Sequence, residues 1–159
     1  MAVELDDLDL RILASLLRDG RAPAAQIAEQ IGLSRPAVAD RIEKLERQGV
    51  IRGTTAVVEP RTIGRNVTAF IAARGGPLPA KAWKYFRDLM TNDDEILEVH
   101  TVAGEDCYFI KVRTDSIPSL NTLVSKLTAP PLSLTTRTTI VMQTHCEKVG
   151  GIMLSEEKR

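Results

Sequence analysis

Residues 27–53 read IAEQIGLSRPAVADRIEKLERQGVIRG, and the punctuation within this stretch decides the fold. Ile27, Ala28 and Ile31 form a short apolar stripe that begins after Pro23, at a plausible first helical position, and closes at Gly32. Ser34 can cap a following helix in which Ala37, Val38, Ile42 and Leu45 share one stripe, with Arg35, Asp40, Arg41, Lys44 and Arg47 largely off it, until Gly49 ends the pattern. Two helices joined by a short turn containing glycine have helix-turn-helix geometry. The second helix of such a pair can enter a major groove, its N-terminal turn facing base edges and phosphates.

Upstream, Leu5, Leu8, Ile12, Leu13, Leu16 and Leu17 recur at helical steps, predicting an amphipathic helix over 6–18. Asp6, Asp7 and Asp9 suit the positive end of its dipole, and Gly20 stops it. Downstream of Val50 the period shifts toward two through Ile51 and 54–58, so residues 49–58 suggest a short hairpin or wing strand that Glu59-Pro60 ends. Pro60, Gly64 and Asn66 mark a boundary.

Beyond it the pattern is strand (67–73), helix (80–90), strand (96–102), strand (108–112), helix (Ser116 as cap, to Leu127) and strand (132–141). Ala103-Gly104-Glu105-Asp106 suits a hairpin between the middle strands, and Pro118 falls where a helix tolerates it. The expected class is α+β: an N-terminal helix-turn-helix domain, then a βαββαβ ferredoxin-like domain with a four-stranded antiparallel sheet and both helices on one side. The divisions are 1–52 for the helical domain, 53–65 for strand and linker, 66–145 for the βαββαβ domain, and 146–159 for a tail with no assigned structure. The strands carry Phe70, Val99, Phe109, Ile110, Ile140 and Val141, so the sheet face without helices calls for a cover, most simply a second subunit.

Composition narrows the function classes. With 159 residues the chain has room for one ordinary domain or two small ones, not for a barrel enzyme. Lys+Arg and Asp+Glu balance at 21 each, so no global positive field announces nucleic acid. Local charge says more: between Leu33 and Arg65, seven basic residues face four acidic ones. The acidic opening is unlike a secretory signal and no run is long enough for a membrane span, which suggests a cytoplasmic protein without a membrane partner. Cys107 and Cys146 are too few and too far apart for a disulfide scaffold. His100, His145 and the two cysteines are dispersed, and no dinucleotide or P-loop pattern occurs. No catalytic residue, metal or cofactor is therefore expected. A hydrolase on the βαββαβ half lacks an anion cradle with a reactive group. The alternative to DNA binding is a non-enzymatic small-molecule sensor or protein-interaction module whose mixed-charge third helix is an ordinary surface.

On the residues alone, Ser34 and the amides after it can hold a phosphate, and Arg35, Arg41 and Lys44 can reach DNA. Arg35 suits a base or a phosphate equally, Pro36 suits a first turn, and Ala37, Val38 and Ile42 read as core rather than contact. Asp40 can pair with Arg41 or Lys44, or accept from a cytosine amino group.

The chain resembles the Lrp/AsnC, or feast/famine, transcriptional regulators along almost its whole length. LDDLDLRILASLLRDGR (5–21) is similar to the family's opening helix and Asp-Gly-Arg turn. Residues 27–53 are similar to its helix-turn-helix, including Gly-Leu-Ser and the run Arg41, Leu45, Glu46, Gly49, Ile51. The resemblance implies double-stranded DNA as partner, a homodimer formed through the sheet that assembles into tetramers or octamers, and an amino acid effector bound between dimers. It places Ser34, Arg35, Ala37, Asp40, Arg41 and Lys44 on the recognition helix, with Arg52 beside the interdomain connection. It places the effector at the hairpin Gly104, Glu105, Asp106, Cys107, where the family usually reads Gly-Asp-Tyr-Asp, with hydroxyls from Thr136, Thr138 or Thr139. Cys107 stands where the second aspartate of that motif is expected.

Overall fold

Asp6 and Asp9 start the first helix by capping each other. The Asp9 N–H donates to the Asp6 carboxylate at 2.8 Å, the Asp6 N–H to the Asp9 carboxylate at 3.4 Å, and α1 (Asp7–Arg18) follows. The second helix, α2 (Ala24–Ile31), has Pro23 as its N-cap rather than in its first turn. It ends where Gly32 adopts φ 74°, which lets the N–H groups of Gly32 and Leu33 both return to the Ala28 carbonyl at 3.0 Å. Ser34 then caps α3 (Arg35–Arg47), its hydroxyl accepting from the Ala37 N–H at 3.3 Å. Ile12, Ile27, Ala28, Ile31, Val38 and Leu45 form the core of the three helices.

The computed structural model describes residues 3–148, in two compact units; the first ends at Val57 and the second is Val58–His145. Most of the tail expected at 146–159 lies outside the described residues.

The wing strand expected at 49–58 does not form. Val50 and Ile51 instead turn back, their N–H groups donating to the Leu45 carbonyl at 2.9 and 3.2 Å while their side chains pack on the helical core. Residues 52–59 have no regular structure, with Val57 and Val58 exposed. Strand propensity has no ladder to join there, because no described segment lies alongside to exchange hydrogen bonds. A 3-10 turn at Pro60–Ile63 follows, ended by Gly64.

The second unit is a four-stranded antiparallel sheet of β1 (Val67–Arg74), β2 (Ile96–Thr101), β3 (Tyr108–Thr114) and β4 (Thr135–Ile140), in the order β2-β3-β1-β4. The helices α4 (Ala80–Asn92) and α5 (Ile117–Thr128) cover one face. The last strand begins at Thr135 rather than Leu132, because Leu132 and Leu134 are buried in the core and the Leu134 N–H returns to the Leu127 carbonyl at 3.0 Å.

Register separates the faces, since directly paired residues point to the same side. Ala69, Ile71 and Ala73, with Val112, Ile110 and Tyr108 opposite, face the helices. Val99 pairs with Ile110 and Ile140 with Ala69, so these three belong to the helix side and not, as expected, to the open face. Phe70, paired with Lys111 and Thr139, lies on the open face, as does Phe109, paired with Ala72 and His100. Both phenylalanines are about two-fifths exposed, at 42% and 40%. Glu98, His100 and Lys111 share that face, Glu98 forming an ion pair with Lys111 at 3.3 Å and a hydrogen bond with the His100 ring at 3.2 Å, so it is a mixed surface with an aromatic centre. Among the described residues no helix is long and apolar enough to cross a membrane.

Phe86 is fully buried and meets Trp83 and Tyr108 edge to face, with ring centroids 6.0 and 5.0 Å apart. Phe86→Ala is expected to destabilise the second unit by about 3–5 kcal/mol, against about 0.5 kcal/mol or less for Ile63→Ala at an exposed position. Urea unfolding at fixed protein concentration measures the difference.

Candidate nucleic-acid interface and hairpin loop

The recognition-type helix is held by a charge. Asp9 is a buried polar residue, its side chain only 3% exposed. A carboxylate in that position needs a counter-charge. Arg41 supplies it: one guanidinium nitrogen lies 2.6 Å from Asp9 Oδ1 and 2.7 Å from Asp6 Oδ2. The Asp6 carboxyl is thereby held below its ordinary range, by the Asp9 N–H first and the Arg41 guanidinium second. The Arg41 guanidinium is held more firmly protonated by the two carboxylates, Asp6 foremost. Arg41 thus ties the start of α1 to the middle of α3, and its expected role as a DNA contact competes with two intramolecular ion pairs.

The remaining residues expected on this helix fall into two groups. Ala37 is half-buried, between the buried Val38 stripe and solvent. Ser34, Arg35, Asp40 and Lys44 are exposed, and so is Arg52 beyond the helix. Pro36 and Ala39 are exposed between them, and neither was expected in a contact role. Glu43 pairs with Arg47 one turn on. The first-turn amides are a smaller anion site than expected, because Ser34 takes the Ala37 N–H and Pro36 has none.

The hairpin is built around Cys107 as an anchor. Its N–H donates to the Ala73 carbonyl at 2.9 Å, its carbonyl accepts from Val102 at 3.0 Å, and its thiol lies 3.4 Å from the Gly75 carbonyl. This ties the loop to the end of β1 and leaves Gly104, at φ 143°, and Glu105 exposed beyond it. Asp106 is half-buried and pairs with Arg137 at 3.2 Å.

Arg137 is the residue that sequence reasoning missed. It projects from the open face beside Ala72, whereas Thr136 and Thr138 pair with Ala73 and Ile71 and point to the helix side. Thr139, paired with Phe70, shares the open face with Arg137. The structure therefore brings Asp106 to Arg137 and divides the expected threonines between the two faces. The alternation along β4, set against an aspartate in the neighbouring hairpin, was the available signal.

At the other end of the sheet lies a shallow depression of about 450 Å³ lined by Arg65, Leu89, Asn92, Asp93, Asp94, Glu95 and Lys126. Arg65 pairs with Glu95 at 3.1 Å and Lys126 with Asp93 at 2.7 Å, so its cations are already engaged. Among the described residues no cluster of three metal-ligating side chains occurs.

Each half of the chain is similar to known proteins. Residues 5–52 match a family model described as winged helix-turn-helix DNA-binding, and residues 68–150 match the Lrp/AsnC ligand binding domain. The chain is 36% identical over 149 residues to the HTH-type transcriptional regulator FL11 of Pyrococcus abyssi, spanning 92% of this chain and 95% of that protein. Among solved structures, Mycobacterium tuberculosis LrpA superposes with a TM-score of 0.77 at 30% identity, covering 91% of this chain and 97% of that one. The transcriptional regulator NMB0573 of Neisseria meningitidis, solved with L-Met, shares the fold at a TM-score of 0.82 and 20% identity, covering 92% and 95%.

Removing Arg41 leaves Asp9 buried without its cation. Arg41→Met is expected to destabilise the helical unit by about 2–3 kcal/mol. Asp9→Asn combined with Arg41→Met should cost less than the two single changes added together, as urea unfolding of the set would show. Because the folded-state pKa of Asp6 is lowered, its contribution is present above about pH 4 and lost as pH falls through the lowered value. Unfolding measured from pH 6 down to pH 2 should show this acid loss, and Asp6→Asn should flatten it.

Proposed function

The chain belongs to the Lrp/AsnC family of transcriptional regulators, and from that premise we propose how its two units work. It is a DNA-binding regulator and not an enzyme. Residues 1–52 read DNA, 53–65 connect, and 66–145 bind an effector and join subunits. The observation that carries this reading is the capped third helix, whose buried stripe faces its own core while Asp40 and Lys44 are exposed on the opposite side and Arg35 is exposed in the first turn, where a major groove would meet the helix. Ser34, Arg35, Lys44 and Arg52 supply contacts to phosphates or bases. Ala37 packs behind them, and Arg41 holds the helix in place.

Two copies of the sheet join through the open face around Phe70 and Phe109, with Glu98, His100 and Lys111 around the aromatic pair. Dimers assemble further into tetramers or octamers. One recognition helix covers few base pairs, so joining two raises the effective concentration of the second on a pseudo-palindrome. An amino acid binds near the hairpin, its carboxylate received by the turn amides or Arg137 and its ammonium by Glu105 or Asp106. Thr136 and Thr138 point to the helix side of β4, which leaves Thr139 as the threonine on the same face as Arg137. Cys107, in this arrangement, shapes the loop instead of contacting the ligand through a carboxylate. The ligand acts by favouring one assembly over another, which alters which pairs of recognition helices reach successive major grooves.

Two outcomes are expected. Operator affinity, measured against salt, should fall steeply for the full-length protein, and Lys44→Ala should reduce the log–log slope by about 0.9, the contribution of one phosphate contact. An unchanged slope in that variant would remove Lys44 from the phosphate contacts. The chain's one tryptophan, Trp83, touches Phe86, which touches Tyr108 next to the hairpin. Titrating the common amino acids should therefore change Trp83 fluorescence together with sedimentation, and Gly104→Asp, which strains a left-handed backbone and adds a negative charge, should abolish both responses without abolishing operator binding.

A further inference from the structure

The first two turns of α3, the part of a recognition helix that faces base edges, carry a single carboxylate, Asp40. It lies about 200° around the helix from Val38, which is fully buried, and so points directly away from the core. Its neighbours do not neutralise it. Arg41 is engaged by Asp6 and Asp9, the Glu43–Arg47 pair is closed, and Asp40 makes no ion pair or hydrogen bond among the described residues. The two expected alternatives, a partner in Arg41 or Lys44, are not realised.

A carboxylate is an acceptor only, and a phosphate would repel it. In the major groove the donors are the N4 amino group of cytosine and the N6 amino group of adenine. Adenine places its N7 acceptor beside that donor, where it would oppose a second carboxylate oxygen; cytosine presents no acceptor there. Exposed Pro36 and Ala39 flank Asp40 with apolar surface, which suits a thymine methyl. Arg35 and Lys44, both exposed, bracket it in sequence and offset the approach of a negative group to DNA.

We propose that Asp40 is a specificity-determining residue that accepts a hydrogen bond from cytosine N4 in each half-site, with Pro36 and Ala39 against the methyl of an adjacent thymine. The inference rests on the DNA-binding reading above.

The test is enrichment of random double-stranded DNA by the full-length protein and its Asp40→Ala and Asp40→Asn variants, followed by affinity measurements on the enriched sites. The wild type should prefer cytosine at one position per half-site, with a loss of roughly tenfold when that C·G pair becomes T·A. Asp40→Ala should erase the preference at that position alone, and Asp40→Asn should move it toward adenine, whose N6 and N7 an amide can pair with. Thermal unfolding of the variants should match the wild type, because the side chain is exposed. An identical motif from Asp40→Ala, or an adenine preference in the wild type, overturns the proposal while leaving DNA binding intact. No enrichment by the wild type would overturn the DNA-binding reading itself and this inference with it.

Discussion

Burying the Asp9 carboxylate is tolerable only with a cation beside it, and Arg41 is the cation that the structure provides. This one requirement shapes the helical unit. The reciprocal Asp6–Asp9 cap brings two carboxylates together at the start of α1, and the guanidinium that bridges them comes from the middle of α3. Hydrophobic contact among Ile12, Ile27, Val38 and Leu45 brings the helices together but is indifferent to small rotations about their axes. A charged bridge between fixed atoms is directional, and it sets which side of α3 faces outward. The outward side then bears Asp40 and Lys44, with Arg35 exposed in the first turn and Arg41 withdrawn.

The second unit obeys a different constraint. Its sheet has one face closed by α4 and α5 around Phe86, Leu123 and Leu127, while the other face mixes two phenylalanines with charged pairs. A wholly apolar open face would invite indiscriminate association; a mixed face restricts it to a surface of matching charge. The hairpin stands at the edge of that face, held by Cys107 through main-chain bonds and by Asp106 through Arg137. On the proposed reading, effector and subunit contact would be neighbours on one scaffold, the arrangement that control through assembly requires.

Much of this was legible in the sequence, and the parts that were not share a cause. The helices from Asp7, Ala24, Arg35 and Ile117 follow from caps and apolar spacing, which are local. The order βαββαβ follows from period and turn residues, and the family resemblance from the run around Arg41 and Gly49. The strand expected at 49–58 failed because strand propensity says nothing about a partner, and residues 52–59 have none in the described chain. Leu132 and Leu134 read as strand for the same reason, when burial alone accounts for them. In the candidate sites, exposed Arg35, Asp40 and Lys44 could be placed by helical phase. The Arg41–Asp9 bridge and the Asp106–Arg137 pair each join residues more than thirty positions apart, and spacing carries no trace of such contacts.

On the proposed reading, Arg41 orients the third helix and does not itself neutralise a phosphate. The most direct measurement is the salt dependence of operator affinity for Arg41→Met beside the wild type, at a temperature where both are folded. Binding by the variant should be weaker at every salt concentration with an unchanged log–log slope, since no phosphate contact is lost. A slope shallower by about 0.9 in the variant, the signature of one missing phosphate contact, would contradict it.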